Sequence, residues 1–331
     1  MKNMLSSVSG LSRELSIVDE YIDELLGADT ETNGVAEVFG SIRGSRGKMI
    51  RPILLLLTAR FGPAYKGARQ RLYKLGALIE IVHMASLIHD DIIDDSPLRR
   101  RRPTIQHQFG KDIAVYAGDY MISRVFCHLA EEHTTQEVLG IGRTIENMCR
   151  GELRQMNCRW NTETTIETYL RNICGKCVSL FIEAARLGAA GGGADEKAVN
   201  CLASIGEHLG YMFQMRDDLL DFISDQQKEG KPVHRDFADG IYTLPVLYAL
   251  QQPGSGARLR EIAGVNNTDP NYGELLLEMR ELTRQSGGID FTLEQMDSHA
   301  RQARMQLSAL PSSEVVQGIE MLIDQMLKRD A

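Results

Sequence analysis

The stretch from Leu72 to Asp95 limits what this chain can fold into more than any other feature. Leu75, Leu78, Ile79, Val82, Ala85, Ile88 and Ile92 recur at three- and four-residue steps, and Ile81, Met84 and Leu87 fill much of the opposite side. That spacing is helical, and a helix apolar nearly all round must be buried at the centre of other helices. It should stop near Pro97, because the residue before a proline disfavours helical backbone. Strand-like alternation is nearly absent elsewhere. A second apolar helix is expected from about Lys197 to Phe222, and further helices at 48–60, 112–133, 135–157, 164–188, 242–251, 272–285, 290–309 and 313–328. Gly191-Gly192-Gly193 reads as a turn between helices, and the polar stretch Ser224 to Gly240, with Gly230 and Pro232, as a mobile loop. No repeat and no Pro-, Ser- or Gly-rich linker divides the 331 residues, so we expect one all-α domain over 1–331, a single large helical bundle around a central apolar cavity.

Composition excludes several classes. There are 37 Lys and Arg against 45 Asp and Glu, a net charge of −8, which disfavours nucleic acid as a partner. The 6 Cys are scattered and form no disulfide framework. No transmembrane run is apparent, and Met1 to Ser6 lacks the apolar core of a signal peptide. A cytoplasmic location is expected.

The central helix ends in His89-Asp90-Asp91-Ile92-Ile93-Asp94-Asp95. Asp90 and Asp94 are four apart and share a face, with Asp91 one step round. Three carboxylates so close repel one another, and a helix C-terminus adds to that repulsion. A hard divalent cation resolves it, and all-oxygen ligands suit Mg²⁺. The pattern recurs as Asp217-Asp218-Leu219-Leu220-Asp221, again at the end of an apolar helix. One such cluster could be a solvated helix end. Two copies of D-D-x-x-D, each ending an apolar helix, point instead to metal ions that grip a polyanion. Basic residues supply the complement: Lys48 and Arg51 one turn apart, then Arg99 to Arg102 directly after the first acidic helix, with Lys176 and Lys231 further on. Guanidinium forks match phosphate oxygens, and Lys adds point charge. Acid, metal and base around apolar helices suggest a ligand with a diphosphate head and a hydrocarbon tail.

In these residues the chain resembles the trans-isoprenyl diphosphate synthases, the polyprenyl synthetase family, of medium- or long-chain type. The likeness covers about residues 40 to 310. Its motifs read G-K-x-x-R-P at 47–52, H-x-x-S-L-I-H-D-D-x-x-D at 83–94, R-R-x-R-P-T at 99–104, A-G-D-Y at 117–120, G-E-x-x-Q at 151–155, F-Q-x-x-D-D-x-x-D at 213–221, G-K-P at 230–232 and T-L-P at 243–245. The resemblance implies the isoprenoid synthase type of bundle and a Mg²⁺-dependent transferase. Asp90, Asp91 and Asp94 would hold Mg²⁺ on one side of an allylic diphosphate and Asp217 on the other, with Asp218 and Asp221 supporting. Arg99, Lys176 and Lys231 would bind that diphosphate. Lys48, Arg51, His83 and Arg100 would bind isopentenyl diphosphate, and Gln214 would line the space near the second acidic motif. Such enzymes ionise the allylic C–O bond, and the isopentenyl double bond attacks the cation. They are usually homodimers, with helices near Ala117 to Tyr120 at the interface, and product release can involve peripheral membrane contact.

Product length in the family depends on the residues one turn before the first Asp. Ala85 and Ser86 are small, and Val82, Ile81 and Leu78 are only moderately bulky. This implies a product longer than C20, of C30 or more. A short-chain farnesyl or geranylgeranyl synthase is the alternative, as is the catalytic subunit of a two-component synthase. A non-catalytic subunit is disfavoured by the two intact acidic motifs, and a terpene cyclase by the second set of cations. The chain departs from the family at Ile241, where Lys is common, at Cys177, where Thr or Ser is common, and at Arg101, where Gly is common. Cys174-Gly175-Lys176-Cys177 spells C-x-x-C, but neither a redox nor a zinc context accompanies it. Trp160 is expected to be a packing or surface residue near a loop, and the 14 Met to fill core gaps.

Overall fold

The buried helix outruns its apolar pattern: it spans Tyr65–Ile93, 29 residues. Leu72, Leu75, Ala77, Leu78, Ile79, Ile81 and Ala85 are wholly buried on different sides of it. By length and composition it could cross a membrane, but 72% of its apolar window is buried within the protein, the condition of a core helix. It ends ahead of Pro97, with Asp94 as C-cap and the Asp94 N–H returning to the Asp90 carbonyl.

The computed structural model describes residues 8–27, 33–43, 47–223, 235–311 and 313–328. Among them the helices are, in order, α1 Leu11–Gly27, α2 Asn33–Arg43, α3 Ile50–Ala59, α4 Tyr65–Ile93, α5 Ile105–Phe109, α6 Lys111–Glu132, α7 Thr135–Asn157, α8 Ile166–Ile173, α9 Ser179–Gly191, α10 Glu196–Ile223, α11 Arg235–Ala238, α12 Leu244–Leu250, α13 Ser255–Ala263, α14 Tyr272–Gln285, α15 Gly288–Ser308 and α16 Glu314–Leu327. Between α8 and α9 the chain makes a π-helical turn, Cys174–Val178. The expected continuous helix at 164–188 is therefore two helices joined by a wider turn. The described residues pair as strands only in the two-residue β1 Leu98–Arg99 and β2 Arg102–Pro103, which are antiparallel. The fold is all-α, as expected. The expected helix at 48–60 is α3, and the glycine turn at 191–193 follows α9. Within the expected loop 224–240, residues 224–234 lie outside the described residues and Arg235–Ala238 is helical.

The chain divides into two units, each drawn from three segments. The first takes Met1–Ile145, Leu180–Gly206 and Gln306–Leu322, and the second Glu146–Ser179, Glu207–Met305 and Ile323–Ala331. In the first, α4 packs on α1, α3 and α6. Every residue of α3 from Arg51 to Ala59 is buried, and burying each Leu or Ile stabilises by about 1.5–3 kcal/mol. The α3 and α9 ends meet backbone to backbone: a Cβ on Gly192 would lie 2.0 Å from the Ala59 carbonyl oxygen, so no larger residue fits there. In the second unit, Tyr248 stacks on Phe291 with ring centroids 4.4 Å apart.

Helix α1, which lies outside the expected helices, is fastened by a buried carboxylate. Arg60 Nη2 donates to Glu14 Oε2 at 2.6 Å, Tyr65 donates to Glu14 Oε1, and Tyr73 donates to the same oxygen at 3.2 Å. Burial and the Glu14 carboxylate push the Tyr65 phenol well above its usual value. Glu14→Ala would strand the Arg60 guanidinium, whose side chain is only 11% exposed. We expect a loss of about 3 kcal/mol in unfolding free energy, read by denaturant titration.

Candidate active site

In the first unit the site grows from the end of α4. Asp90 and Asp91 occupy its last turns and Asp94 caps it. Asp91 is buried, and Arg99 Nε donates to its Oδ1 at 2.9 Å. The Asp91 carbonyl accepts from the Ser96 N–H, and the Ser96 carbonyl accepts from Thr104 Oγ1 and Gln106 Nε2, which pins the return of the chain. Between these anchors lies the β1–β2 hairpin. Its two loop residues, Arg100 and Arg101, have φ of 51° and 64°. Two-residue hairpins need positive φ at both positions and normally use Asn or Gly. Here arginines take that cost, the kind of strain found at functional sites. It also explains why Gly suits position 101, where this chain has Arg.

The strained loop places Arg100 on the start of α3. A Cβ on Gly47 would stand 2.6 Å from Arg100 Nη2, so the glycine of G-K-x-x-R-P seats the guanidinium. Lys48 is exposed, and Met49, with φ of 50°, is the N-cap that turns the chain into α3. Arg51 is buried, with its guanidinium over the Phe181 ring at 4.6 Å. His83 is part-buried, and burial together with the charges of Arg51, Arg100 and Arg99 holds its imidazole well below the usual histidine value. A cavity of about 250 Å³ opens here, lined by Gly47, Glu80, His83, Asp91, Arg99 and Arg100 among others. The guanidiniums gathered around this imidazole give the corner positive charge, the complement of an anion. The A-G-D-Y motif packs on the residue before the acidic cluster: Gly118 lies against the His89 ring, and Asp119 Oδ1 is 3.5 Å from His89 Nε2.

The second unit carries the other acidic motif, on the last turns of α10. Asp217 is exposed and Asp221 part-buried. Asp218 is buried and accepts hydrogen bonds from the Tyr169 hydroxyl and, at 2.9 Å, from Gln214 Nε2. Burial pushes its carboxyl up to about 7; Asp217 adds to the rise, while the two hydrogen bonds and Lys176 oppose it. Asp236, in α11, joins them. Burial and then Asp221, Asp218 and Asp217 hold it well above the carboxylate range, with Lys176 opposing. Lys176 projects from the π turn and pairs with Glu152 Oε1 at 2.9 Å. The turn exists because α7 comes very close: a Cβ on Gly151 would lie 2.3 Å from the Lys176 backbone nitrogen. G-E-x-x-Q therefore provides both the contact, through Gly151, and the counter-ion, through Glu152. Cys174 and Cys177 lie on the same turn outside any disulfide, and Cys177 is buried. Trp160 is 53% exposed.

Each unit thus gathers its own predicted residues, and Lys231 lies outside the described ones. Tyr169, Glu152 and Asp236 were not anticipated as site residues. Of the proposed length-setting residues, Ala85, Val82, Ile81 and Leu78 are buried, and Ser86 is part-buried, its hydroxyl donating to the His83 carbonyl at 2.8 Å. Among the described residues that line the 250 Å³ cavity, none is one of these five. Among the described residues no three His, Cys, Asp or Glu side chains form a cage for an ion. The donor set is all carboxylate, which suits a hard cation that keeps several waters and is shared with phosphate oxygens rather than caged by protein alone.

A family model described as polyprenyl synthetase matches residues 33–278. The chain is 33% identical over 306 residues to heptaprenyl diphosphate synthase component 2 of Geobacillus stearothermophilus, covering 92% of each chain. It is 33% identical over 310 residues to nonaprenyl diphosphate synthase of Mycobacterium tuberculosis, covering 91% of this chain and 90% of that one. Among solved structures it is similar to a polyprenyl synthase from Caulobacter crescentus complexed with calcium and isoprenyl diphosphate, at TM-score 0.88 and 27% identity over 98% of this chain and 97% of that one.

Proposed function

The chain belongs to the polyprenyl synthetase family and is a prenyltransferase, and we propose that it condenses isopentenyl diphosphate with an allylic diphosphate, using Mg²⁺, to build a trans-polyprenyl diphosphate longer than C20. The observation that carries this reading is the gathering of Arg99, Arg100 and His83 around one cavity that also has Asp91 on its wall. Bound Mg²⁺ would neutralise the charge that develops on the departing diphosphate.

The chain's own residues have distinct tasks. Asp90, Asp91 and Asp94 are the proposed ligands of the first unit, and Asp217, supported by Asp218 and Asp221, that of the second. Arg99 fixes Asp91 and offers its remaining N–H groups to the allylic diphosphate. Lys176, paired with Glu152, binds the same group, as Lys231 is expected to do. Lys48, Arg51, His83 and Arg100 bind isopentenyl diphosphate, and His83, being neutral, can donate a hydrogen bond without adding to the repulsion among the guanidiniums. Gln214 and Tyr169 hold Asp218 in place. No protein nucleophile is needed, and the released diphosphate removes the last proton. Ile241, in the position where the family often has Lys, leaves one ammonium fewer on the allylic side, so affinity falls while the reaction class is kept.

Ala85 and Ser86 leave the tail room to grow past C20. Ala85→Phe should shorten the longest product by at least one isoprene unit, read by mass spectrometry of the extracted alcohols; an unchanged length would place the tail elsewhere. We further propose a cytoplasmic homodimer through the region of Ala117 to Tyr120, with peripheral membrane contact on product release. The relative named component 2 favours testing a second subunit as well. The decisive assay incubates the protein with isopentenyl diphosphate, Mg²⁺ and geranyl, farnesyl or geranylgeranyl diphosphate. Elongation supports the reading, and its absence with every primer, alone and with candidate partners, refutes it.

A further inference from the structure

Trp160 is the chain's single tryptophan, and it sits in a costly way. Its φ is 61°, a left-handed backbone that a bulky residue rarely adopts. Half of its surface faces solvent. Its backbone N–H donates to the Gly240 carbonyl at 2.8 Å, and a Cβ on Gly240 would lie 2.4 Å from the indole ring. Gly240 is itself left-handed, with φ of 75°. The indole therefore lies directly on the Gly240 backbone.

The segment beneath the indole is a tight knot centred on Asp236. The Asp236 carbonyl accepts from the Ile241 N–H at 2.7 Å and from the Asp239 N–H at 3.2 Å, and the Gly240 N–H donates to the Phe237 carbonyl at 3.0 Å. Phe237 is buried and its ring packs 5.2 Å from that of Tyr242. The knot carries the Asp236 carboxyl into the field of Asp217, Asp218 and Asp221. The hydrogen bonds of the knot run through Asp236 and end at Gly240, so what holds Gly240 also holds the Asp236 backbone.

We propose that Trp160 is a positioning residue for the allylic half of the site: its indole, seated on Gly240, clamps the turn that sets Asp236 beside Asp217, Asp218 and Asp221. With the clamp in place, the Asp236 oxygens are held beside the other three carboxyl groups, where divalent cations are drawn in. Without it, the turn carrying Asp236 can retreat. This rests on the prenyl-transfer reading given above.

The test uses the full chain. Trp160→Leu should raise the Mg²⁺ concentration for half-maximal rate and the allylic KM by about tenfold, and leave the isopentenyl KM within about twofold. Trp160→Phe, which keeps a ring on Gly240, should recover to within about threefold. Gly240→Ala breaks the contact from the other side and should match Trp160→Leu, and the double variant should be no worse than either single one, because both remove one contact. Wild-type values of Mg²⁺ demand and allylic KM in Trp160→Leu would overturn the proposal, as would an equal rise in both substrate KM values. A second readout needs no turnover. Because the indole is unique, titration of the wild-type protein with Mg²⁺ and inorganic diphosphate should give a saturable change in tryptophan emission that Asp236→Asn abolishes. An unresponsive emission would overturn the clamp even in an active enzyme. A responsive emission in a protein that elongates no allylic primer would retain the clamp and discard the prenyl-transfer reading.

Discussion

Asp90→Asn should lower kcat by about a thousandfold, the scale seen when one preorganised electrostatic group is removed from a charge-stabilising site, without lowering the unfolding midpoint. The two halves of this result have separate origins. Asp90 and Asp94 lie four residues apart where α4 ends, Asp94 being its C-cap. Like charges at that spacing repel, and the carbonyl end of a helix disfavours both. Neutralising one removes a repulsion of about a few tenths of a kcal/mol between them, so the fold should lose little. Asn keeps the size and one carbonyl oxygen but loses the charge on which a hard cation depends. Steady-state kinetics with saturating Mg²⁺ and a thermal melt on the same preparation check both halves. A large drop in melting temperature alongside the lost rate would make Asp90 a structural residue.

Gly151→Ala should produce the second large effect, for a steric reason. The added methyl would stand 2.3 Å from the Lys176 backbone nitrogen, 2.8 Å from the Asn172 carbonyl oxygen and 2.9 Å from the Gly175 carbonyl carbon. All three neighbours are backbone, so no side chain can swing aside. The π turn must shift, and with it the ammonium that Glu152 holds at 2.9 Å. Overpacking of this kind costs about 2 kcal/mol. Displacing Lys176 by about an ångström should cut kcat/KM for the allylic substrate by roughly a hundredfold. The isopentenyl KM should hardly change, because Arg51, His83 and Arg100 belong to the other unit. Denaturant melts and separate substrate titrations distinguish this from general damage, which would raise both KM values together.

What could be read from the chain alone follows from how local each signal is. The 29-residue α4 announced itself through Leu75, Leu78, Ile79 and Val82, because burial on all sides leaves an apolar run that no surface helix shows. Both D-D-x-x-D clusters were legible for the same reason, since each sits within one helix end. Helix α1 carries its own signal in Leu11, Leu15, Val18 and Ile22, one face at helical spacing. The hairpin was hidden because Arg100 and Arg101 are poor residues for positive φ, so propensity argued against the turn that the site requires. The π turn depends on the meeting of Gly151 with the Gly175–Lys176 backbone, a contact between distant segments; two glycines in the sequence hint at it only in hindsight. Asp236 had no local mark at all. Its importance comes from the three carboxylates that folding brings near it.

The most direct measurement is the size of the product made from isopentenyl and farnesyl diphosphates with Mg²⁺ by wild-type protein, Asp90→Asn and Asp217→Asn, resolved by mass spectrometry. The account predicts metal-dependent chains longer than C20 from the wild type and almost none from either variant. Full elongation by Asp217→Asn, or elongation by the wild type with the metal chelated, would contradict it.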